Sequence, residues 1–375
     1  MSSSLQSDIR HPELDGLRGL AILLVLIWHY SRFLNPDPSN KFIRLTNITW
    51  SGVDLFFVLS GFLIGGILLD HRLSGNLFRV FYLRRAFRIL PLYFLVLLSY
   101  IACLLLRLDI PYLFTGHIPV WSYATFLQNF TISWYALNPA YMGASWSLAV
   151  EEQFYLLFPL VVYFIPPRKL VFVLVAALLT APLLRIVLYH WFSKDHFLAF
   201  YMLMPCRMDA LSIGVLCAMA YRSAYFSRLF KENIGWLRPV VATSFVFLVY
   251  GIDPIFSSKL MIFGGYTVLA LLYGVLLLDS ILGPEGLLKR LTNLSWLRSL
   301  GKIAFSVYLF HLAVVGFAFF FVLGNEPGLS SLIEVFVAIL AILITLVLGW
   351  ISWVFFERHF IAIGQLFRYQ LSRLL

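Results

Sequence analysis

Two ionisable residues stand in the first apolar run of the chain, and their spacing makes them a pair. Arg18 lies near the start of that run and His29 near its end, with only Gly, Leu, Ala, Ile, Val and Trp between them. At about 100° per residue, eleven helical steps bring them to within about 20° of one face and about 16 Å apart. An ionisable side chain is expensive in a bilayer unless it faces a polar cavity, so two on one stripe predict such a cavity. A neutral imidazole there can take a proton from a weak nucleophile. The plainer alternative lets Arg18 reach the cytoplasmic headgroups and His29 bond to a neighbouring helix.

Further polar residues recur at the ends of other apolar runs. Asp54 opens the second, where it can cap a helix N-terminus, and Ser60, Gly61, Gly65 and Gly66 follow as small residues that permit close helix contact. Arg79, Arg84, Arg85 and Arg88 lie in a basic amphipathic stretch ending at Pro91. Spacings of three and four group these guanidinium groups on a helix, where they can grip phosphate or simply anchor the chain at the headgroups. Ser147, Glu151 and Tyr155 recur at every fourth position, with Trp146 and Glu152 beside them. They share one helical face at a depth expected to match that of His29. Arg185 sits in the outer half of another run, Arg207 and Asp209 open the next, where they can pair or cap, and His311 lies at mid-depth in the ninth. A lone histidine there reads most simply as a helix–helix hydrogen bond.

The elements that must position these groups are membrane helices. Of 375 residues, 61% are hydrophobic, 17% aromatic and 12% charged, and the mean hydropathy is +0.88. Apolar runs of about 20 residues are long enough to span a bilayer. They predict an all-α, polytopic bundle of about ten transmembrane helices: 14–33, 52–70, 89–107, 147–165, 170–191, 205–221, 237–254, 260–280, 302–323 and 331–356. The stretch 120–137 is too broken to span and reads as interfacial or re-entrant. With the first end inside, the inner loops hold Arg10, Arg72, Arg79, Arg84, Arg85, Arg88, Arg168, Lys169, Arg222, Arg228, Lys231, Arg238, Lys289, Arg290, Arg298, Lys302, Arg358, Arg368 and Arg373. The outer loops hold only Arg32, Lys41, Arg44, Arg107, Lys194, Arg207 and Lys259. That bias places both termini in the cytoplasm.

The expected division is a cytoplasmic N-terminus at 1–13, a transmembrane domain at 14–358 and a short basic cytoplasmic tail at 359–375, with no soluble domain and no internal repeat. Charged residues in the first run argue against a cleaved signal peptide. The net charge of +10 fits loops facing anionic lipid and anionic small molecules rather than nucleic acid. Cys103, Cys206 and Cys217 have no metal-ligand spacing, so no metal site is expected.

These stretches, taken in order, resemble the acyltransferase 3 family of bacterial integral-membrane O-acyltransferases. The resemblance rests on L-D-G-L-R-G-L with the Arg18–His29 spacing, D-L-F-F-V-L-S-G-F-L-I-G, the Arg85–Arg88 pair, W-S-L-A-V-E-E-Q-F-Y, R-M-D-A-L-S-I-G, F-S-V-Y-L-F-H and F-F-E-R. It covers almost the whole chain, and its length matches members without a fused C-terminal extracytoplasmic domain. The resemblance implies transfer of an acyl group, commonly acetyl, from cytoplasmic acyl-CoA to a hydroxyl of an extracytoplasmic glycan or lipid-linked glycan. It implies a multi-pass protein of the bacterial cytoplasmic (inner) membrane. The family's essential positions fall on Arg18, His29, Arg85, Arg88 and Glu151. In this reading His29 is the general base, and Glu151 or Asp54 orients its ring. Arg84, Arg85 and Arg88 bind the donor, while Asp54, Trp146, Ser147, Arg207 and Asp209 serve the acceptor side or orient other groups. The donor arm would thread a continuous cavity lined by both Arg18 and His29. A proton-coupled transporter of a small anionic or sugar-like solute is the alternative from another class, though matching broken helices in inverted halves are not found.

Overall fold

A computed structural model describes residues 11–34, 41–116, 118–135, 139–191 and 197–370. Arg10, Lys194, Arg373 and the ends of the 120–137 and 359–375 segments lie outside the described residues. The long helices are α1 (Pro12–Ser31), α2 (Gly52–His71), α3 (Leu77–Leu105), α4 (Trp146–Phe164) and α5 (Pro167–Trp191). They continue with α6 (Met204–Arg222), α7 (Ala224–Val246), α8 (Tyr266–Leu282), α9 (Ala304–Leu323) and α10 (Leu332–Ser352). Ten helical segments are long and apolar enough to cross a membrane, and no strand occurs among the described residues. The fold is an all-α polytopic bundle.

Two helices begin about a dozen residues before their apolar runs. α3 already includes the basic stretch from Leu77 and passes through Pro91, and α7 starts at Ala224 and passes through Pro239. Each amphipathic start is continuous with the apolar run that follows it, so hydropathy alone places the boundary too late. The segment after α3 forms short helices at Val120–Ala124, Gln128–Tyr135 and Ala140–Gly143 instead of a span. Its Trp121 and Trp134 are exposed, while the Gln128 amide donates to the Ser145 carbonyl at 2.9 Å and so supports the start of α4.

Small residues set the central contacts. A Cβ on Gly61 of α2 would lie 2.1 Å from the Leu211 carbonyl of α6, and one on Gly214 would lie 2.2 Å from the Val58 carbonyl. These two helices therefore pack backbone to backbone, as small-residue pairs in membranes allow. The opening Gly-rich motif does the same for α1. A Cβ on Gly19 would lie 2.0 Å from the Leu297 carbonyl of the short helix Ser295–Lys302. That contact fixes Arg18 beside the start of α9.

After α10 the chain makes a π-turn at Trp353–Glu357 and continues as a helix over Arg358–Gln365. The wide turn rotates Glu357 inward, where the Ser352 hydroxyl donates to its carboxylate at 2.9 Å. π-Turns of this kind frequently occur where a helix must present a particular side chain to a site.

Candidate active site

α1, α2, α3, α4 and α9 enclose a cavity with about 140 Å³ open to the centre of a water molecule. Its polar lining includes Arg18, Arg85, Arg88 and Lys302 against the carboxylates of Glu151 and Glu357, two fewer negative than positive charges. Arg88 and Lys302 are exposed and mark its mouth. Arg85 lies half-buried with its guanidinium 5.5 Å above the ring of Tyr155. Among the described residues neither Arg85 nor Arg88 makes an ion pair, whereas Arg18 holds Asp15 at 2.9 Å. A cationic, partly desolvated pocket with uncommitted guanidinium groups is suited to a phosphate-bearing ligand.

Arg84 does not belong to it. One helical step turns its side chain about 100° from that of Arg85, and it donates to the Phe367 carbonyl at 2.8 Å with its guanidinium 5.1 Å from the Tyr369 ring. The expectation that Arg84, Arg85 and Arg88 act together is thereby corrected: only Arg85 and Arg88 line this cavity. Arg84 pins the segment after Gln365 to α3.

On α4, Ser147, Glu151 and Tyr155 all line the cavity. Glu151 accepts from Ser60 at 2.8 Å and from Tyr155 at 2.9 Å. The Tyr308 hydroxyl donates to the Ala144 carbonyl at 2.7 Å and lies 2.6 Å from the Ser147 hydroxyl, which also reaches the Ala144 carbonyl at 3.4 Å. Glu151 therefore stands level with Ser60, deeper than the expected match with His29. Glu152 turns out of this face, and one of its carboxylate oxygens is buried without a hydrogen-bond partner.

His29 is not part of the cavity lining, which corrects the expectation of one continuous cavity shared with Arg18. Nor do Glu151 or Asp54 contact it. Its Nδ1 lies 3.0 Å from the Val25 carbonyl and 3.3 Å from Nε2 of His311 on α9. A carbonyl only accepts, so His29 carries its proton on Nδ1 and presents Nε2 as a lone pair. Among the described residues that Nε2 has no hydrogen-bond partner, and it is not among the sealed unpartnered atoms. His311 lies one turn beyond Tyr308 on α9, which puts the histidine pair immediately past the Ser147–Tyr308 end of the cavity.

The remaining anticipated residues form a separate, sealed network. Arg207 pairs with Asp54, and Arg185 with Asp209 at 2.9 Å; all four side chains are at most 1% exposed. Thr267 donates to Asp209 at 2.6 Å, and the Arg207 guanidinium sits 4.5 Å from the Tyr266 ring and 5.2 Å from that of Tyr201. Trp146 packs on Tyr201 with ring centroids 4.7 Å apart, joining this network to the head of α4. The expected pairing of Arg207 with Asp209 is replaced by two pairs between helices. Asp54 thus orients Arg207, not an imidazole, and neither Arg207 nor Asp209 presents a surface to an acceptor. Sequence reasoning missed His311, Tyr308 and Lys302 as site residues. The advance signals were the F-S-V-Y-L-F-H stretch and the mid-depth position of His311, whose expected helix–helix hydrogen bond is the one it makes to His29.

A family model described as an acyltransferase domain matches residues 11–354. The O-acetyltransferase OatA of Staphylococcus aureus strain COL is 28% identical over 367 residues, covering 92% of this chain and 56% of OatA. A putative O-acetyltransferase of the same strain is 24% identical over 367 residues, covering 93% of this chain and 57% of that protein. The chain thus spans little more than half the length of these curated relatives. No solved structure matches it. With the family model running from the start of α1 to the π-turn that delivers Glu357, the chain belongs to the acyltransferase 3 family.

Proposed function

We propose that the protein is a membrane O-acyltransferase that moves an acyl group, acetyl in the simplest case, from cytoplasmic acyl-CoA to a hydroxyl of an extracytoplasmic glycan or glycolipid in the bacterial cytoplasmic membrane. The observation that carries this reading is the cationic cavity that ends beside a histidine with a free lone pair. Coenzyme A places its phosphates at one end and its thioester at the tip of a long neutral arm. Arg85 and Arg88 match the phosphates at the mouth, with Arg18 and Lys302 adding to the field. The arm would run past Glu151, whose carboxylate can accept from its amide N–H groups, toward Ser147 and Tyr308. There Nε2 of His29 takes the proton of the acceptor hydroxyl as the oxygen attacks the thioester carbonyl. The tetrahedral adduct collapses with loss of the CoA thiolate, which recovers the proton from His29. Because His29 does not line the cavity while Tyr308, one turn before its partner His311, does, transfer in this reading needs the Tyr308 ring to swing aside, a small gating motion of a familiar kind.

The test incubates purified protein in nanodiscs with labelled acetyl-CoA and extracted cell-envelope glycans, scoring CoA release and base-labile acetyl ester. The proposal expects both with wild type and neither with His29→Ala. Acetyl-CoA that is neither bound nor consumed would overturn it and return the transporter reading.

A further inference from the structure

A base on a neutral imidazole works only if the proton stays on the other nitrogen. His29 has no carboxylate to enforce this, and its Val25 carbonyl partner is the i−4 group of its own helix. The second partner of Nδ1 is His311, which is fully buried. His311 places its own Nδ1 2.8 Å from the Tyr308 carbonyl, so that nitrogen must carry the proton and its Nε2 must be a bare acceptor. That bare Nε2 is the atom 3.3 Å from Nδ1 of His29, with the two rings at 62° and their centroids 4.8 Å apart. The Tyr308 carbonyl fixes the His311 tautomer, and the bare Nε2 of His311 then gives the Nδ1 proton of His29 a second acceptor beside the Val25 carbonyl.

From this we propose that His311 is a positioning residue for the transfer reaction. It holds the proton of His29 on Nδ1, aims the Nε2 lone pair at the acceptor hydroxyl, and takes the charge-assisted hydrogen bond once His29 becomes an imidazolium. It plays the part that a carboxylate plays behind the histidine of a hydrolase triad. A neutral partner suits this depth, because a buried carboxylate would carry a large desolvation penalty. The same residue couples base to cavity: Tyr308, whose hydroxyl meets Ser147, supplies the carbonyl that orients His311.

The inference rests on His29 being the base, and the test separates the two. His311→Leu removes the acceptor, His311→Gln restores one near the position of Nε2, and His311→Asn keeps a donor to Tyr308 but falls short of His29. Each is assayed in nanodiscs with acetyl-CoA and envelope glycans, beside ¹⁵N side-chain spectra of histidine-labelled protein in which His29 is assigned from a His29→Gln sample. Wild type and His311→Gln should show His29 protonated at Nδ1, with activity within about threefold of each other. His311→Leu leaves the Val25 carbonyl as the remaining acceptor, so it should show a shifted His29 Nδ1 signal and a kcat lower by about 10- to 100-fold, within the usual contribution of a general base, while KM for acetyl-CoA holds. Should His311→Leu fail to fold, His311→Asn must show the same loss. Wild-type kcat with an unchanged His29 spectrum in the leucine or asparagine variant, while His29→Ala is inactive, overturns the positioning role alone. Equal losses in the glutamine and leucine variants with the His29 signal unchanged overturn it too. Activity in His29→Ala overturns the base and, with it, this inference.

Discussion

Replacing the three neighbouring arginines of α3 one at a time should give three different answers. Arg85 is half-buried against the Tyr155 ring and faces the cavity. A hydrogen bond to a charged partner at such a place contributes about 1.5–3 kcal/mol. At about 2 kcal/mol, Arg85→Ala should weaken acetyl-CoA binding by about 30-fold, since about 1.4 kcal/mol is tenfold. Arg88 lines the same cavity but is exposed at its mouth. Screening limits such a group to about 1 kcal/mol, or about fivefold. Arg84 is committed to the Phe367 carbonyl and the Tyr369 ring, so Arg84→Ala should leave affinity within about twofold while loosening the C-terminal segment by about 1 kcal/mol. Isothermal titration with acetyl-CoA in nanodiscs reads all three, and raising the salt should weaken wild type more than Arg85→Ala. A loss in Arg84→Ala equal to that in Arg85→Ala would refute the assignment of faces, and no loss in any of the three would reduce the whole stretch to a headgroup anchor.

Other consequences concern neighbouring parts of the molecule. Glu151→Gln keeps the shape of the group that Ser60 and Tyr155 hold but removes its charge; KM for acetyl-CoA should rise about tenfold, the loss of one charge-assisted bond, with kcat changed far less. A collapse of kcat at constant KM would place Glu151 with the base instead. Asp54→Leu leaves Arg207 buried without its partner, so thermal unfolding in detergent should report a loss of about 3–5 kcal/mol. The double variant Asp54→Leu/Arg207→Met should recover much of it, and no recovery would show that the pair is not acting as one unit. Gly19→Ala would place a Cβ 2.0 Å from the Leu297 carbonyl, forcing the Ser295–Lys302 helix off α1 and costing about 1–3 kcal/mol; acetyl-CoA affinity should fall with stability, because Arg18 and Lys302 move apart.

What could be read from the sequence was what repeats along a single helix. Hydropathy located the ten crossings, and the fourfold spacing of Ser147, Glu151 and Tyr155 located one wall of the cavity. Helix starts were misplaced where amphipathic turns precede the apolar run, as before Pro91 and Pro239. Partners across the bundle were not legible, because their separation in sequence carries no period. His29 meets His311 from 282 residues away and Asp54 meets Arg207 from 153. Arg207 and Asp209, two apart, look like mutual partners until packing turns them to different helices. Arg84 and Arg85 look equivalent until the tail takes one of them.

The central claim is that one cavity accepts a donor from the cytoplasm and hands its acyl group to a hydroxyl on the far side, with His29 as base. Its most direct measurement uses membrane vesicles of defined orientation, with labelled acetyl-CoA confined to the cytoplasmic face and envelope glycan to the other. The account predicts base-labile acetyl ester on the glycan across the membrane, free CoA retained on the cytoplasmic side, and neither product with His29→Ala. Ester formed only when acetyl-CoA shares the glycan's compartment, or formed equally without His29, would contradict it.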